Sequence, residues 1–301
     1  MSISVVASQP NGAVQPPIPV APAGFSLEQW QTFERDGILT IEDAISPTDV
    51  KRYLAAAQEC LERYPNYSPQ NTWKITRLIM EHPVFQDLID HPRHIGYAYD
   101  IFGDHTRLGQ ADLFVRPKQG VINHWHVDGP RAVPYRTFSP ILPLKLRIGY
   151  WLTDVPNDDM GNLVYLPGSH AADYELEHKG TGPLEGEKVL RCKAGTITIA
   201  HASMWHKVAA NHSDRTRINM FLSYIPSWIT GYYNFPPEFV STLSREQRII
   251  LRAYEEKEDL SRPPREDLPL FIDPSAPPIE KGEEPHKVRR LTRYERYFKA
   301  H

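Results

Sequence analysis

From about residue 106 the chain breaks into short segments of strand-like composition, and few architectures accept that pattern. Leu113–Arg116, Ile122–His126, Lys145–Leu152, Leu163–Leu166, Val189–Cys192, Thr196–Ala200 and Ile218–Tyr224 are separated by turn residues. Several short strands at this spacing predict a mainly β, double-sheet core. The pattern alone leaves a β-sandwich and a jelly roll equally open.

The segment Asn123-His124-Trp125-His126-Val127-Asp128 lies inside this region. Residues two apart point to one face of a strand, so His126 and Asp128 can converge, and His124 can join them. An imidazole and a carboxylate suit a first-row metal such as Fe(II), and a third ligand would complete a facial triad. Three further segments follow: Met160–His170, with Gly161-Asn162-Leu163 and Leu166-Pro167-Gly168-Ser169-His170; Gly195–His201 with Trp205-His206; and Asn211–Arg217 leading into an apolar strand.

In that order these pieces resemble the phytanoyl-CoA hydroxylase family of Fe(II)/2-oxoglutarate oxygenases. The resemblance spans about residues 110–225, and Phe33–Gly37 resembles the family's N-terminal opening. His206 and Arg217 are 11 residues apart (217 − 206), as in the family. Gly161-Asn162 reverses the family's Asn-Gly order within a turn.

The resemblance implies a double-stranded β-helix, a cupin-like jelly roll, with helices packed outside. It implies His126, Asp128 and His206 as metal ligands and Arg217 as the partner of the 2-oxoglutarate 5-carboxylate. A guanidinium fork suits that role by its bidentate geometry. Arg215, two residues earlier, is the competing arginine. Arg116 lies where relatives often carry a lysine that touches the co-substrate. Trp151 is either a wall of that pocket or an ordinary core tryptophan. Gln110 sits where some relatives place a polar group facing substrate. His124, His201 and His212 compete with the chosen ligands.

The cofactors implied are Fe(II), 2-oxoglutarate and O2, with succinate and CO2 released. Asp128 stands where related halogenases carry Ala or Gly, which argues for an oxygenase outcome. Hydroxylation of a small molecule, such as a secondary metabolite, is the leading expectation. Desaturation, epoxidation or ring formation would use the same cofactors, and a non-catalytic binding protein could keep the fold. Zinc could bind the same ligands, but no hydrolytic base and oxyanion site accompany them.

Gly129–Pro143 carries Gly129, Pro130, Pro134, Pro140 and Pro143 and leaves the metal segment directly. It is expected to be a lid, with a structural insertion as the alternative. Arg131, Tyr135, Arg136 and Phe138 are its candidate substrate contacts.

The 301 residues suffice for one large domain. Residues 1–24 are small, polar and Pro-rich and are expected to be disordered. Residues 25–301 are expected to form a single oxygenase domain. Its parts would be a helical section over 25–105, a β core over about 106–228, and a helical and Pro-rich extension over 229–301.

Ser26 with Gln29 predicts a capping box, and Gly37 ends that helix. Ser46-Pro47 opens a second helix closing by Pro65. Residues 74–104 read as partly helical, with His82, His91 and His94 as caps or surface groups. Ser244–Gln247 opens a further helix reaching about Glu258. The basic, aromatic tail Arg289–Lys299 is expected to pack on the domain or on a second subunit.

With 34 Lys and Arg against 37 Asp and Glu, no basic excess suggests a nucleic acid or anionic membrane partner. Two cysteines, Cys60 and Cys192, are too few for a disulfide framework. There is no 18-residue apolar run, signal pattern or peroxisomal tripeptide. The expectation is a cytoplasmic enzyme with a small-molecule substrate, its oligomeric state open and a homodimer one option.

Overall fold

The computed structural model describes residues 17–128, 143–171, 180–231, 234–254, 267–276, 292–294 and 296. The lid candidates Arg131, Tyr135, Arg136 and Phe138 therefore lie outside the described residues, as does most of the tail.

Ten residues, Leu27–Asp36, form α1. Ser26 and Gln29 close the expected capping box, and Gly37 takes φ 77, the left-handed cap that glycine adopts without a Cβ clash. A short strand β1, Ile38–Ile41, follows. Ser46 caps α2, Pro47–Glu62, with Pro47 in the first turn, where its missing N–H costs nothing.

Residues 73–105 mix types. Trp73–Thr76 is a strand, β2, at the start of the stretch expected to be helical in part. The long strand β3, Thr106–Arg116, offers it a free edge, and Ile75 pairs Leu113. Next come α3, Leu78–Glu81, a 3-10 turn at Pro83–Ile89, and α4, Ile95–Phe102.

The remaining elements are β4 (Leu146–Trp151), β5 (Leu163–Tyr165), β6 (Lys188–Val189), β7 (Ile197–His201), β8 (His206–Val208) and β9 (Arg217–Pro226), then α5 (Pro237–Val240) and α6 (Arg245–Leu251). The strands form two antiparallel sheets, a six-stranded one ordered β1-β7-β4-β9-β3-β2 and a small one ordered β6-β5-β8. This is the double-stranded β-helix with flanking helices.

Period-two alternation divides the large sheet cleanly. Ala111, Leu113, Ile148, Tyr150, Ile197, Ile199, Leu222 and Tyr224 face the helices and share one apolar core with Tyr53, Phe85, Leu88 and Ile95. The opposite face meets the small sheet through Trp151, Leu163, Leu190, Cys192 and Met204, and it carries the polar residues of the site.

Four local expectations change. Residues 122–126 are extended but form no ladder, because their backbone bonds go to separate partners: Asn123 N to Val208 O, Trp125 N to Gly180 O and His126 N to His206 O. The predicted Val189–Cys192 strand is two pieces, β6 and a bridge from Cys192 to Val155. The helix opened by Ser244 stops at Leu251, short of Glu258, since Arg252 takes φ 54 and turns its buried guanidinium onto Ile249 O and Asp104 O. His94 is wholly buried, not a surface group or a side-chain cap, and is clamped between the Tyr150 and Tyr224 hydroxyls at 2.5 and 2.6 Å. His82 and His91 do receive turn N–H groups, from Val84 and Arg93.

The ends of the described chain pack together. Val20 bridges Ile272, Arg293 reaches Pro22 O and Asp100, and Tyr294 lies on Trp30. No helix of the described residues is long and apolar enough to cross a membrane.

Candidate metal centre and its cavity

His126 and His206 exchange both backbone hydrogen bonds, at 2.9 and 3.0 Å, an isolated antiparallel bridge onto β8 that sets their side chains side by side. Their ring centroids are 4.3 Å apart. Asp128 is fixed one step on, where its N–H donates to Ala202 O at 2.7 Å. The ligand atoms of His126, Asp128 and His206 all lie within 4.8 Å of one another, the one such cluster among the described residues.

Both imidazoles are oriented by carbonyls. His126 Nδ1 faces His124 O at 2.8 Å and His206 Nδ1 faces Met204 O at 3.0 Å. A carbonyl only accepts, so each Nδ1 carries the proton and each Nε2 presents a lone pair to the cluster. Burial pulls the His206 pKa down to about 4, which keeps its ring neutral and able to ligate.

Burial would raise the Asp128 carboxyl, but Arg147, His206, Lys145 and His126 together outweigh it and hold it at about 2. Asp128 Oδ2 is buried, ion-pairs with Arg147 and takes no hydrogen bond. Two imidazole nitrogens and a buried anionic oxygen on one side of a cavity fit a divalent first-row ion with a three-residue facial donor set.

The other histidines stand apart from the cluster. His124 contributes its carbonyl, His201 lies in the cavity wall against His170 with ring centroids 4.9 Å apart, and His212 donates its backbone N–H to Asp159 O in a turn.

The cavity beside the triad has a volume of about 260 Å³. Arg217 and Arg116 stand directly opposite each other across β9 and β3, and both line it. Arg217 is 3 % exposed; its Nη1 donates to Gly161 O at 2.5 Å, and its buried Nε has no partner. Burial, then the nearby Arg116 cation, pull its pKa down to about 9. No carboxylate among the described residues pairs with Arg217, so an incoming anion would relieve that cost.

Arg116 reaches Asn123 Oδ1 and Val121 O, both at 3.4 Å. Arg215 turns away, its side chain 69 % exposed and near Asp154. Trp151 is buried under the Arg217 guanidinium, 5.7 Å from ring centroid to Cζ, and supports that residue instead of lining the cavity. Gln110 does line the cavity and donates to Asp112 Oδ2 at 2.5 Å.

Lys145 and Arg147 also line the cavity and do not stand out in the motifs. Their signal was present: two cations two residues apart, alternating with Leu146 and Ile148 in an otherwise apolar strand. Arg147 lies over the Phe221 ring at 4.4 Å as well as against Asp128.

The chain is 27 % identical over 241 residues to an ectoine dioxygenase of Streptomyces anulatus, covering 68 % of this chain and 79 % of that protein. Its fold resembles HygX from Streptomyces hygroscopicus, solved with nickel and 2-oxoglutarate bound, at a TM-score of 0.62 and 16 % identity over 71 % of this chain and 91 % of that one. It also resembles the non-heme alpha-ketoglutarate-dependent carbocyclase SnoK from nogalamycin biosynthesis, at a TM-score of 0.55 and 24 % identity over 75 % of this chain and 94 % of that one. The phytanoyl-CoA dioxygenase (PhyH) family model matches residues 33–219, more than half of the sequence. The chain belongs to the phytanoyl-CoA dioxygenase (PhyH) family, and with these relatives it is an iron- and 2-oxoglutarate-dependent dioxygenase.

Proposed function

We propose that the protein hydroxylates a small molecule, with His126, Asp128 and His206 holding Fe(II) and Arg217 holding the 5-carboxylate of 2-oxoglutarate. The observation that carries the reading is the buried, carboxylate-free Arg217 in the same cavity as a preoriented His-Asp-His cluster. When bound, iron and 2-oxoglutarate activate O2 for attack on a substrate C–H bond, with succinate and CO2 released.

The chain's own residues do the positioning. The His124 and Met204 carbonyls hold the imidazole tautomers, so the Nε2 lone pairs need no reorganisation on binding. Arg147 holds the Asp128 carboxylate anionic and in place. Gly161 O and the Trp151 ring fix the Arg217 fork. Arg116 adds a second cation at that end, and Gln110 offers a neutral amide to substrate. Residues 25–301 act in this reading as one oxygenase domain. Asp128 and Lys145 both bond to Ala202 at the cavity edge, which ties the metal segment to the start of β4.

The test is turnover of 2-oxoglutarate with Fe(II) and O2 across a small-molecule panel, with succinate and product mass read from one reaction. The reading requires iron-dependent succinate formation stimulated by at least one compound that gains one oxygen atom. Succinate formation that ignores iron, or that no compound stimulates, would overturn it.

A further inference from the structure

The cavity face of the large sheet is built in rungs. Arg147 pairs with Ala200 on β7 and with Ser223 on β9, at the end where Arg147 meets Asp128. One step along, Gly149 pairs with Thr198 and with Phe221. A further step brings Trp151 opposite Asn219, and the last rung is Arg217 opposite Arg116. Thr198 therefore stands between the triad and the Arg217 end, and it lines the cavity.

Two neighbours set the Thr198 hydroxyl. The Trp151 Nε1–H donates to its Oγ1 at 3.3 Å, which turns the hydroxyl toward the Arg217 end. Gly149 leaves the cross-strand position bare, and a Cβ there would sit 2.5 Å from Thr198 Oγ1. An indole N–H only donates, so this bond uses a lone pair of the hydroxyl and leaves its proton to give. Among the described residues no acceptor takes that proton, although Thr198 is 1 % exposed. Valine would fill the same volume without burying an unused donor.

The same indole lies under the Arg217 guanidinium, 5.7 Å from ring centroid to Cζ. Arg217 also has a buried Nε without a partner. A neutral donor and a cationic fork thus gather around one ring at one end of the cavity.

We propose that Thr198 is a further co-substrate-binding residue, its Oγ–H donating to the 5-carboxylate of 2-oxoglutarate that Arg217 grips. This rests on the assignment of that carboxylate to Arg217. A carboxylate has about four lone-pair sites, so the fork and the hydroxyl do not compete for it. A hydroxyl donating to an ionised oxygen makes a charge-assisted bond, and Trp151 orders this one before the ligand arrives. A 2-oxo acid with a methyl group in place of that carboxylate would leave the donor unpaired and gain nothing from it.

The test titrates anaerobic protein and Fe(II) with 2-oxoglutarate, and separately with 2-oxopentanoate, which carries a methyl group in place of the 5-carboxylate. The visible charge-transfer band is the readout, in wild type, Thr198→Val, Thr198→Ala and Thr198→Ser. Circular dichroism checks each fold, and chelator release gives the iron affinity. Both variants without the hydroxyl should bind 2-oxoglutarate about tenfold more weakly, the loss of one charge-assisted bond. Their affinity for 2-oxopentanoate and for iron should stay within about twofold of wild type, and Thr198→Ser should recover most of the 2-oxoglutarate affinity.

An unchanged 2-oxoglutarate affinity in folded Thr198→Val or Thr198→Ala overturns the proposal. So does an equal loss of 2-oxopentanoate, which would mean that the substitution disturbs the pocket in general. A Thr198→Ser variant as weak as Thr198→Val overturns it too, and decides the matter if 2-oxopentanoate raises no band in wild type. If 2-oxoglutarate itself raises no band in wild type, the iron and 2-oxoglutarate reading fails and the proposal falls with it.

Discussion

Replacing Arg217 by Lys keeps the charge and removes the fork. In the structure Nη1 is taken by Gly161 O, and the Nε edge faces no partner. A carboxylate gripping the Nε–Nη2 edge makes two charge-assisted bonds, whereas a lysine in the same place makes one good bond and loses the Gly161 contact. One such bond is worth roughly 1.5–3 kcal/mol, so 2-oxoglutarate should bind roughly 10- to 100-fold more weakly. Arg217 is absent from the metal cluster, so the iron affinity should hold. The assay is an anaerobic titration of the charge-transfer band, with 2-oxoglutarate varied at fixed Fe(II) and then the reverse. Arg215→Lys is the control, its side chain 69 % exposed and turned outward, and should change either affinity less than about twofold. A larger effect at Arg215 than at Arg217, or equal losses of iron and co-substrate, would refute the reasoning.

Three further substitutions probe the frame. Gly161 has φ 74, and a Cβ there would sit 3.1 Å from Arg116 Cδ and 3.6 Å from Arg217 Cδ. Gly161→Ala should cost about 1–2 kcal/mol in denaturant stability, and it should weaken 2-oxoglutarate modestly, since the Arg116 side chain must give by a few tenths of an ångström while Arg217 stays in ordinary contact. Gly149→Ala would put a Cβ 2.5 Å from Thr198 Oγ1 and 2.8 Å from Phe221 Cε1; calorimetry should show a lowered melting temperature, with a cost of about 1–3 kcal/mol. His94 is buried neutral, its pKa far below the ordinary 6.5 because of burial. Below about pH 6.5 the unfolded chain binds a proton there that the folded chain refuses, so stability falls with acid by up to about 1.4 kcal/mol per pH unit. His94→Gln should shallow the slope of stability between pH 6.5 and 5 by that amount; an unchanged slope would mean that His94 does not contribute it.

Local chemistry was the most legible part of the chain. The Ser26–Gln29 and Ser244–Gln247 boxes and the glycine at 37 set helix ends through contacts within a few residues, so they could be read directly. Period two in β9 told which residues share a face, and the geometry at Arg217 follows from it. What could not be read depends on partners far along the chain. Trp73–Thr76 is a strand because β3 is long enough to offer an edge. His94 is buried because Tyr150 and Tyr224 come from two distant strands to meet both its nitrogens. The same reason hid Lys145 and Arg147, whose place in the cavity requires knowing which face of β4 meets the small sheet. Trp151 illustrates a halfway case. It is a buried core residue that also lies under Arg217 without lining the cavity, a placement that neither reading open from sequence describes in full.

The most direct measurement of the central claim is anaerobic addition of Fe(II) and 2-oxoglutarate to wild type and to His126→Ala, Asp128→Ala and His206→Ala. Bound iron is counted by chelator release, and the visible charge-transfer band is recorded on the same samples. Circular dichroism confirms that each variant keeps its fold. The account predicts one iron and the band in wild type, with the band and tight iron lost in each variant. A band of undiminished intensity in any of the three folded variants, or wild type that binds 2-oxoglutarate without iron, would contradict it.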